Sequence, residues 1–173
     1  MVNIISFHEK DVFLWKRKFA ILGFSGILLT IVAFLLPIGA GVNWTAGGVV
    51  TAVSGYDFVF GNSAMMKDLA TGYHICAFVL LIIAVLFQIL GTVFTLPNPD
   101  ASHKFSGFLH LLSGISLIVV ALFFFLATKL TPTPNASYVA SLGYGFIVGG
   151  AASAASAVCS LGAFLIAFGK KNS

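Results

Sequence analysis

Charge is what this chain has least of. Among 173 residues there are five Asp or Glu and nine Lys or Arg, 8% charged in all. A soluble domain carries about 25% charged residues, because water must solvate its surface. With 59% hydrophobic residues and a mean hydropathy of +1.05, the chain cannot cover a water-facing surface. It is expected to be an all-α integral membrane protein, a single membrane domain over residues 1–173 with no room for a separate soluble one.

The same scarcity removes most catalytic schemes. A paired-carboxylate site needs two acids close together, and the stretch between the first two long apolar runs offers only Asp57 and Asp68. There are two cysteines, Cys76 and Cys159, and no C-x-x-C, which argues against a thiol–disulfide enzyme. No G-x-S-x-G elbow and no phosphate-cradling glycine loop with a following lysine occurs. No basic stripe with interleaved aromatics points to nucleic acid. Neither a catalytic residue, a cofactor nor a metal site is expected.

What is present is apolar length. A spanning helix needs about 20 mostly apolar residues, and four runs qualify: 19–40, 73–96, 105–128 and 138–168. None contains Asp, Glu, Lys or Arg. The connections "LPNPDASHK" and "TPTPNAS" place Pro97, Pro99, Pro132 and Pro134 at the run ends, where proline stops helices sharply. A four-transmembrane-helix bundle follows. The first run, about 22 residues, exceeds the apolar core of a signal peptide and reads as a retained span.

Lys10, Lys16, Arg17, Lys18, Lys104, Lys170 and Lys171 fall on one side of the four spans, and only Lys67 and Lys129 on the other. By the positive-inside rule both termini are expected to be cytoplasmic, and the cell membrane is the expected location. Residues 1–18 mix Phe13, Leu14 and Trp15 with charges, as an interfacial segment would. The loop 41–72 then faces outward. Asn43-Trp44-Thr45 and Asn135-Ala136-Ser137 are glycosylation sequons on that side. The "KKNS" end reads as stop charges and also resembles a dilysine retrieval signal.

The outer loop contains "GGVVTAVSGYDFVFGN". Val49 to Val53 is β-branched, and Tyr56 to Phe60 alternates, with Tyr56, Phe58 and Phe60 opposite Asp57 and Val59. Two such runs joined by Ser54-Gly55 predict a β-hairpin. Trp44, Tyr56, Asp57, Phe58 and Phe60 are candidate contact residues, either for a partner or for the top of the protein's own bundle. "NSAMMKDLATGYH" predicts a short interfacial helix, and Trp44 and Tyr73 stand where an aromatic belt is expected. Four spans, cytoplasmic termini and a larger first outer loop are similar in topology to claudin-type tetraspan proteins. The likeness is one of topology: that family's Gly-Leu-Trp motif and loop cysteine pair are absent, Trp44 following Val42-Asn43.

Depth along the spans sorts the polar residues. At about 1.5 Å per residue, His74 lies near the outer end of its span and His110 in the inner half of its own, over about 20 Å apart along the normal, too far to share a metal. Cys76 and Cys159 are similarly separated, too far for a disulfide; both are expected to be small buried groups. Gln88 and His110 match in depth and are expected to face the bundle and bond to each other, to Ser113 or to Ser160. In the fourth run Gly145, Gly149, Ser153 and Ala157 recur every four residues, as do Ala151, Ala155, Cys159, Ala163 and Ala167, which predicts close helix packing.

The resulting expectation is a non-enzymatic interaction or scaffold protein, an accessory or assembly subunit of a membrane complex. Its partners are the lipid bilayer and either another membrane protein or further copies of itself, with no nucleic acid. The alternatives are a small transporter or channel component with a polar vestibule near Gln88 and His110 and, with less support, a membrane enzyme acting on lipid.

Overall fold

The structure, a computed structural model, describes residues 2–61, 72–95, 99–131, 133 and 135–169; the side chains of residues 2–13 and 99–102 lie outside that description. Among the described residues, four helices are long and apolar enough to cross a membrane, with candidate spans Leu14–Ile38, Gly72–Thr95, His103–Phe125 and Tyr144–Gly169. The chain is a multi-pass four-helix bundle capped at one end by a small antiparallel sheet.

Helix α1, Val2–Leu35, has 34 residues, about 51 Å at the α-helical rise. It is one continuous helix, so residues 2–18 of the expected interfacial segment run on into the first span without a break. The span also stops short of residue 40. Pro37, buried in a 3₁₀ turn at Leu36–Ile38, lacks the N–H that a further helical turn requires.

Strand β1, Ala40–Ala46, follows at once, then β2, Val49–Ser54. They form a hairpin closed by Gly47 and Gly48, with φ of 55° and 82°. A two-residue loop with both φ positive matches the right-handed twist of the flanking strands, and glycine enters that region without steric cost. The expected hairpin is therefore displaced. Its turn is Gly47-Gly48 and not Ser54-Gly55, and Tyr56 to Phe60 is no strand.

That segment instead forms a single helical turn, α2, Asp57–Phe60. Ser54 Oγ accepts the Asp57 backbone N–H at 3.1 Å, and the Asp57 carboxylate accepts the Ser54 N–H at 3.1 Å. This reciprocal pair has the hydrogen-bond pattern of a capping box and closes the turn that leads into α2, whose own N-cap position is Tyr56. Gly61, with φ 81°, ends the turn. The predicted interfacial helix of "NSAMMKDLATGYH" lies mostly in residues 62–71, outside the described residues.

Helix α3, Gly72–Thr95, is the second span, and α4, Pro99–Phe125, the third. The third run was expected to reach Thr128. The helix breaks at Leu126, and a further turn, α5, Ala127–Leu130, follows. Strand β3, Val139–Leu142, then pairs antiparallel with β1, so the sheet order is β2-β1-β3. Residues 138–143 therefore belong to the sheet side, and the fourth span, α6, begins at Tyr144 and ends at Gly169.

Helix α6 packs extensively on α4 and on α1, and α4 on α3; the seam between α1 and α3 is the loosest of the four. Small residues set this arrangement. Gly145, Gly149, Ser153 and Ala157 are all buried on α6. The second small ridge is split: Ala163 and Ala167 are buried, while Ala151 and Ala155 face outward. Cys76 is exposed and Cys159 half-buried, so the expectation that both thiols are interior fails for Cys76. Large apolar side chains cover the outside of the spans, among them Leu28, Leu86, Leu122, Val158 and Leu165, as hydrocarbon solvent permits.

A Cβ added to Gly145 would lie 2.7 Å from the Leu36 carbonyl oxygen and 2.9 Å from that of Ala40. Neither backbone atom can step aside as a side chain could. Gly145→Ala is expected to destabilise the protein by about 1–3 kcal/mol, whereas Gly72→Ala, with nothing near its added Cβ, is expected to leave stability unchanged or slightly raised. Unfolding midpoints of both variants in one detergent check this.

Candidate functional site

Three features gather the residues singled out by sequence: a polar layer in mid-bundle, an aromatic plug beneath the sheet, and the sheet itself.

The polar layer centres on Gln88, fully buried on α3. Its Nε2 donates to Ser156 Oγ at 2.9 Å and Ser160 Oγ at 2.8 Å, both on α6. The Thr30 hydroxyl on α1 donates to Gln88 Oε1 at 2.8 Å, and Ser156 donates to the Gly26 carbonyl at 2.7 Å. With that assignment both Gln88 amide hydrogens and the Thr30 and Ser156 hydroxyls have acceptors. One amide thus ties α1, α3 and α6 together. Glycine makes the room: a Cβ on Gly26 would sit 3.1 Å from Gln88 Nε2.

His110, also fully buried, belongs to a neighbouring group and does not bond to Gln88. Its Nε2 stands 3.4 Å from Thr92 Oγ1, and its ring meets Phe19 edge-on, centroids 5.2 Å apart. Its Nδ1 has no hydrogen-bond partner among the described residues. Gly91 opens the space for that ring, since an added Cβ would lie 3.0 Å from His110 Cδ2. Of the expected partners, Ser160 bonds to Gln88, whereas Ser113 donates to the Ala84 carbonyl at 3.1 Å. Depth alone places Gln88 and His110 close together; the histidine meets α3 one turn further along, at Thr92, and α1 at Phe19.

At the sheet end two of the three rings of "SGYDFVFGN", Tyr56 and Phe58, pack against the bundle. Phe58 is completely buried and stacks on His74 at 4.8 Å. His74 stacks on Phe146 at 5.4 Å, and Phe146 on Phe124 at 4.9 Å. Trp44, only 3% exposed, caps this column through Phe58 at 6.2 Å. Tyr56 packs between Phe34 and Phe78, and its hydroxyl donates to the Phe34 carbonyl at 2.8 Å. Burial raises the Tyr56 pKa above its ordinary value, so the phenol keeps its proton and its donor role. Trp44 and Phe58 are buried and Tyr56 half-buried, so these rings hold the loop on the bundle. Asp57 is engaged in its capping box. Phe60 alone of the five is exposed, at 70%.

The chemistry available is correspondingly narrow. Asp57 is the only acid whose side chain is described, and it stands at the sheet end, away from the His110 group. Among the described residues no three His, Cys, Asp or Glu converge as metal ligands. No protein-family profile matches the chain, and no curated protein matches it.

Two features escaped sequence reasoning. The S-x-x-D spacing of Ser54 and Asp57 signals the capping box, and the Gly47-Gly48 pair signals the turn. Thr30 and Ser156 complete the Gln88 cluster; Ser156 lies one turn from Ser160 on the same helix face.

In membranes one interhelical hydrogen bond is worth about 0.6 kcal/mol on average and about 1.7 at most. Gln88→Leu removes three and is expected to destabilise by about 2 kcal/mol. His110→Leu, losing one long contact, is expected to cost under about 1 kcal/mol. Equilibrium unfolding in mixed micelles should separate the two; equal losses would refute the assignment of Gln88 as the central tie.

Proposed function

We propose that this chain is a non-enzymatic interaction protein, an accessory or assembly subunit of a membrane complex, and that it meets its partner through the sheet. The lysine and arginine bias supports a sheet that faces outward and termini that face the cytoplasm, and the cell membrane is the location that belongs to this reading.

The observation that carries this reading is the outward face of the sheet. Cross-strand pairing aligns Val50, Thr45 and Val139 in one row and Ala52, Asn43 and Ser141 in the next. Val42, Trp44 and Val53 on the opposite face are buried in the bundle. The first face looks away from it, with Val50 61% and Val139 70% exposed. None of the residues in the three strands is charged. Natural sheets blunt open edges with charges, proline or bulges, because an open edge is a template for pairing. Here the open strands β2 and β3 carry neither charge nor proline, and the face between them is small and β-branched. Such a surface suits contact with a protein and offers nothing for catalysis.

The transporter alternative draws on the Gln88 and His110 layer. Against it, the Gln88 cluster bonds within itself, and apolar clusters around Leu81, Leu117 and Phe124 on one side and Phe19, Ala163 and Ala167 on the other flank the layer.

Val50→Lys with Val139→Lys places two cations on the exposed face without touching the core. The double variant is expected to keep its unfolding midpoint and to lose association about tenfold or more, the equivalent of about 1.4 kcal/mol. Cross-linking of reconstituted protein and recovery of co-purifying subunits in mild detergent read this out. Unchanged association in both assays would exclude the sheet as the contact surface.

A further inference from the structure

The helical turn after β2 does not stand clear of the spans. Tyr56 and Phe60 stack on each other, and both rings meet Phe78 edge-on, at 5.7 and 5.5 Å. Phe78 in turn packs on Phe34 at 4.9 Å. Phe34 and Phe78 belong to the first two candidate spans, and two gauges give their depth. Lys18 is the last charged residue before the first apolar run, and from Phe19 to Phe34 the helix rises about 22 Å. From Thr95, where α3 ends, back to Phe78 is about 25 Å. The hydrocarbon core is about 30 Å thick. By either gauge the backbone at these two rings lies about 5–8 Å inside the sheet-side edge of the hydrocarbon.

We propose that α2 is a membrane-embedded wedge: Tyr56 to Phe60 lies in the sheet-side leaflet, and Phe60 presents its exposed face to lipid acyl chains. Three observations specify lipid as the partner. The first is the depth of the two rings on which Tyr56 and Phe60 pack. The second is the backbone. At membrane depth, chain that leaves the long helices is tolerated only where its polar groups are bonded within the protein. The Gly55 N–H donates to the Pro37 carbonyl at 2.7 Å, and the Tyr56 hydroxyl to the Phe34 carbonyl at 2.8 Å. The loop thus takes up carbonyls that the end of α1 leaves open. The N–H groups of Ser54 and Asp57 are closed by their reciprocal pair. Those of Val59, Phe60 and Gly61 donate to the carbonyls of Tyr56 and Asp57. The third is continuity. Phe60 is 70% exposed, and Leu35 and Val79, next in sequence to Phe34 and Phe78, are 51% and 46% exposed on the spans themselves. A ring exposed at that level meets the medium that those side chains meet, which is hydrocarbon. The wedge is a feature of the loop's underside and does not rest on the role proposed for the sheet's outward face.

The test is a depth measurement by spin labelling. Full-length protein carrying Cys76→Ser and Cys159→Ala is reconstituted in phosphatidylcholine vesicles. One nitroxide is attached in turn through Phe60→Cys, Val79→Cys and Ala136→Cys. Val79 supplies the lipid-facing reference, and Ala136, exposed in the connection before β3, the aqueous one. Power saturation then reads collisions with oxygen, which concentrates in lipid, and with a water-soluble nickel chelate present on both sides of the membrane. Hydrocarbon excludes polar solutes, so chelate collisions at position 60 are expected to be about tenfold or more fewer than at 136. Oxygen collisions at 60 should match those at 79. Circular dichroism and unfolding midpoints confirm that the labelled variants are folded; the parent Phe60 ring is exposed, so its replacement leaves the core intact. Chelate collisions as frequent at 60 as at 136 would overturn the proposal by placing the turn in water. So would exclusion of both reagents at 60, which would assign its face to a protein contact.

Discussion

Within hydrocarbon a polar group has no water to turn to, and the whole arrangement follows from that constraint. Helices satisfy their own backbone. The polar side chains in mid-span must then find one another or a carbonyl. Gln88 does so with Thr30, Ser156 and Ser160, and so fixes how α1, α3 and α6 are rotated. Glycine at Gly26 and Gly91 provides the recesses in which Gln88 and His110 fit. The small residues of α6 bring the helices close enough for such short side chains to reach across. Polarity, small residues and helix rotation are thus three aspects of one solution.

The sheet end obeys a different rule. There the backbone leaves the helix and must be paired again, which β1 achieves by bonding to β2 on one side and β3 on the other. A small sheet alone is marginal in water. The aromatic column from Trp44 through Phe58 and His74 to Phe146 and Phe124 supplies what the sheet lacks, an apolar foundation sunk into the bundle.

The four spans were legible because bilayer thickness imposes run length, and run length survives in sequence. Gln88 was legible as an interior group because depth and polarity leave it few alternatives. Strand β3 was not, because Val139–Leu142 pairs with a strand almost a hundred residues away, and the apolar run continues through it into α6. The segment Tyr56 to Phe60 misled for a local reason. Aromatics at every second position suggest a strand, yet Tyr56 and Phe60, four apart, also share a helix face and stack at 6.0 Å. The Ser54 and Asp57 capping pair decides between these readings. The partner of His110 was not legible because Gln88 and Thr92 stand one turn apart on the same face of α3, and a depth estimate does not choose between neighbours so close.

The joints between sheet and helices are short. Only the 3₁₀ turn and Gly39 separate α1 from β1, and Gly143 alone separates β3 from α6. Gly143 is held in turn by its N–H bond to the Gly41 carbonyl at 2.9 Å. There is no slack to be drawn out. A pull on the sheet therefore passes straight into the first and last helices, and a tilt of either helix swings the sheet as a rigid flag on two poles. The spans and the sheet are mechanically one piece at these two joints.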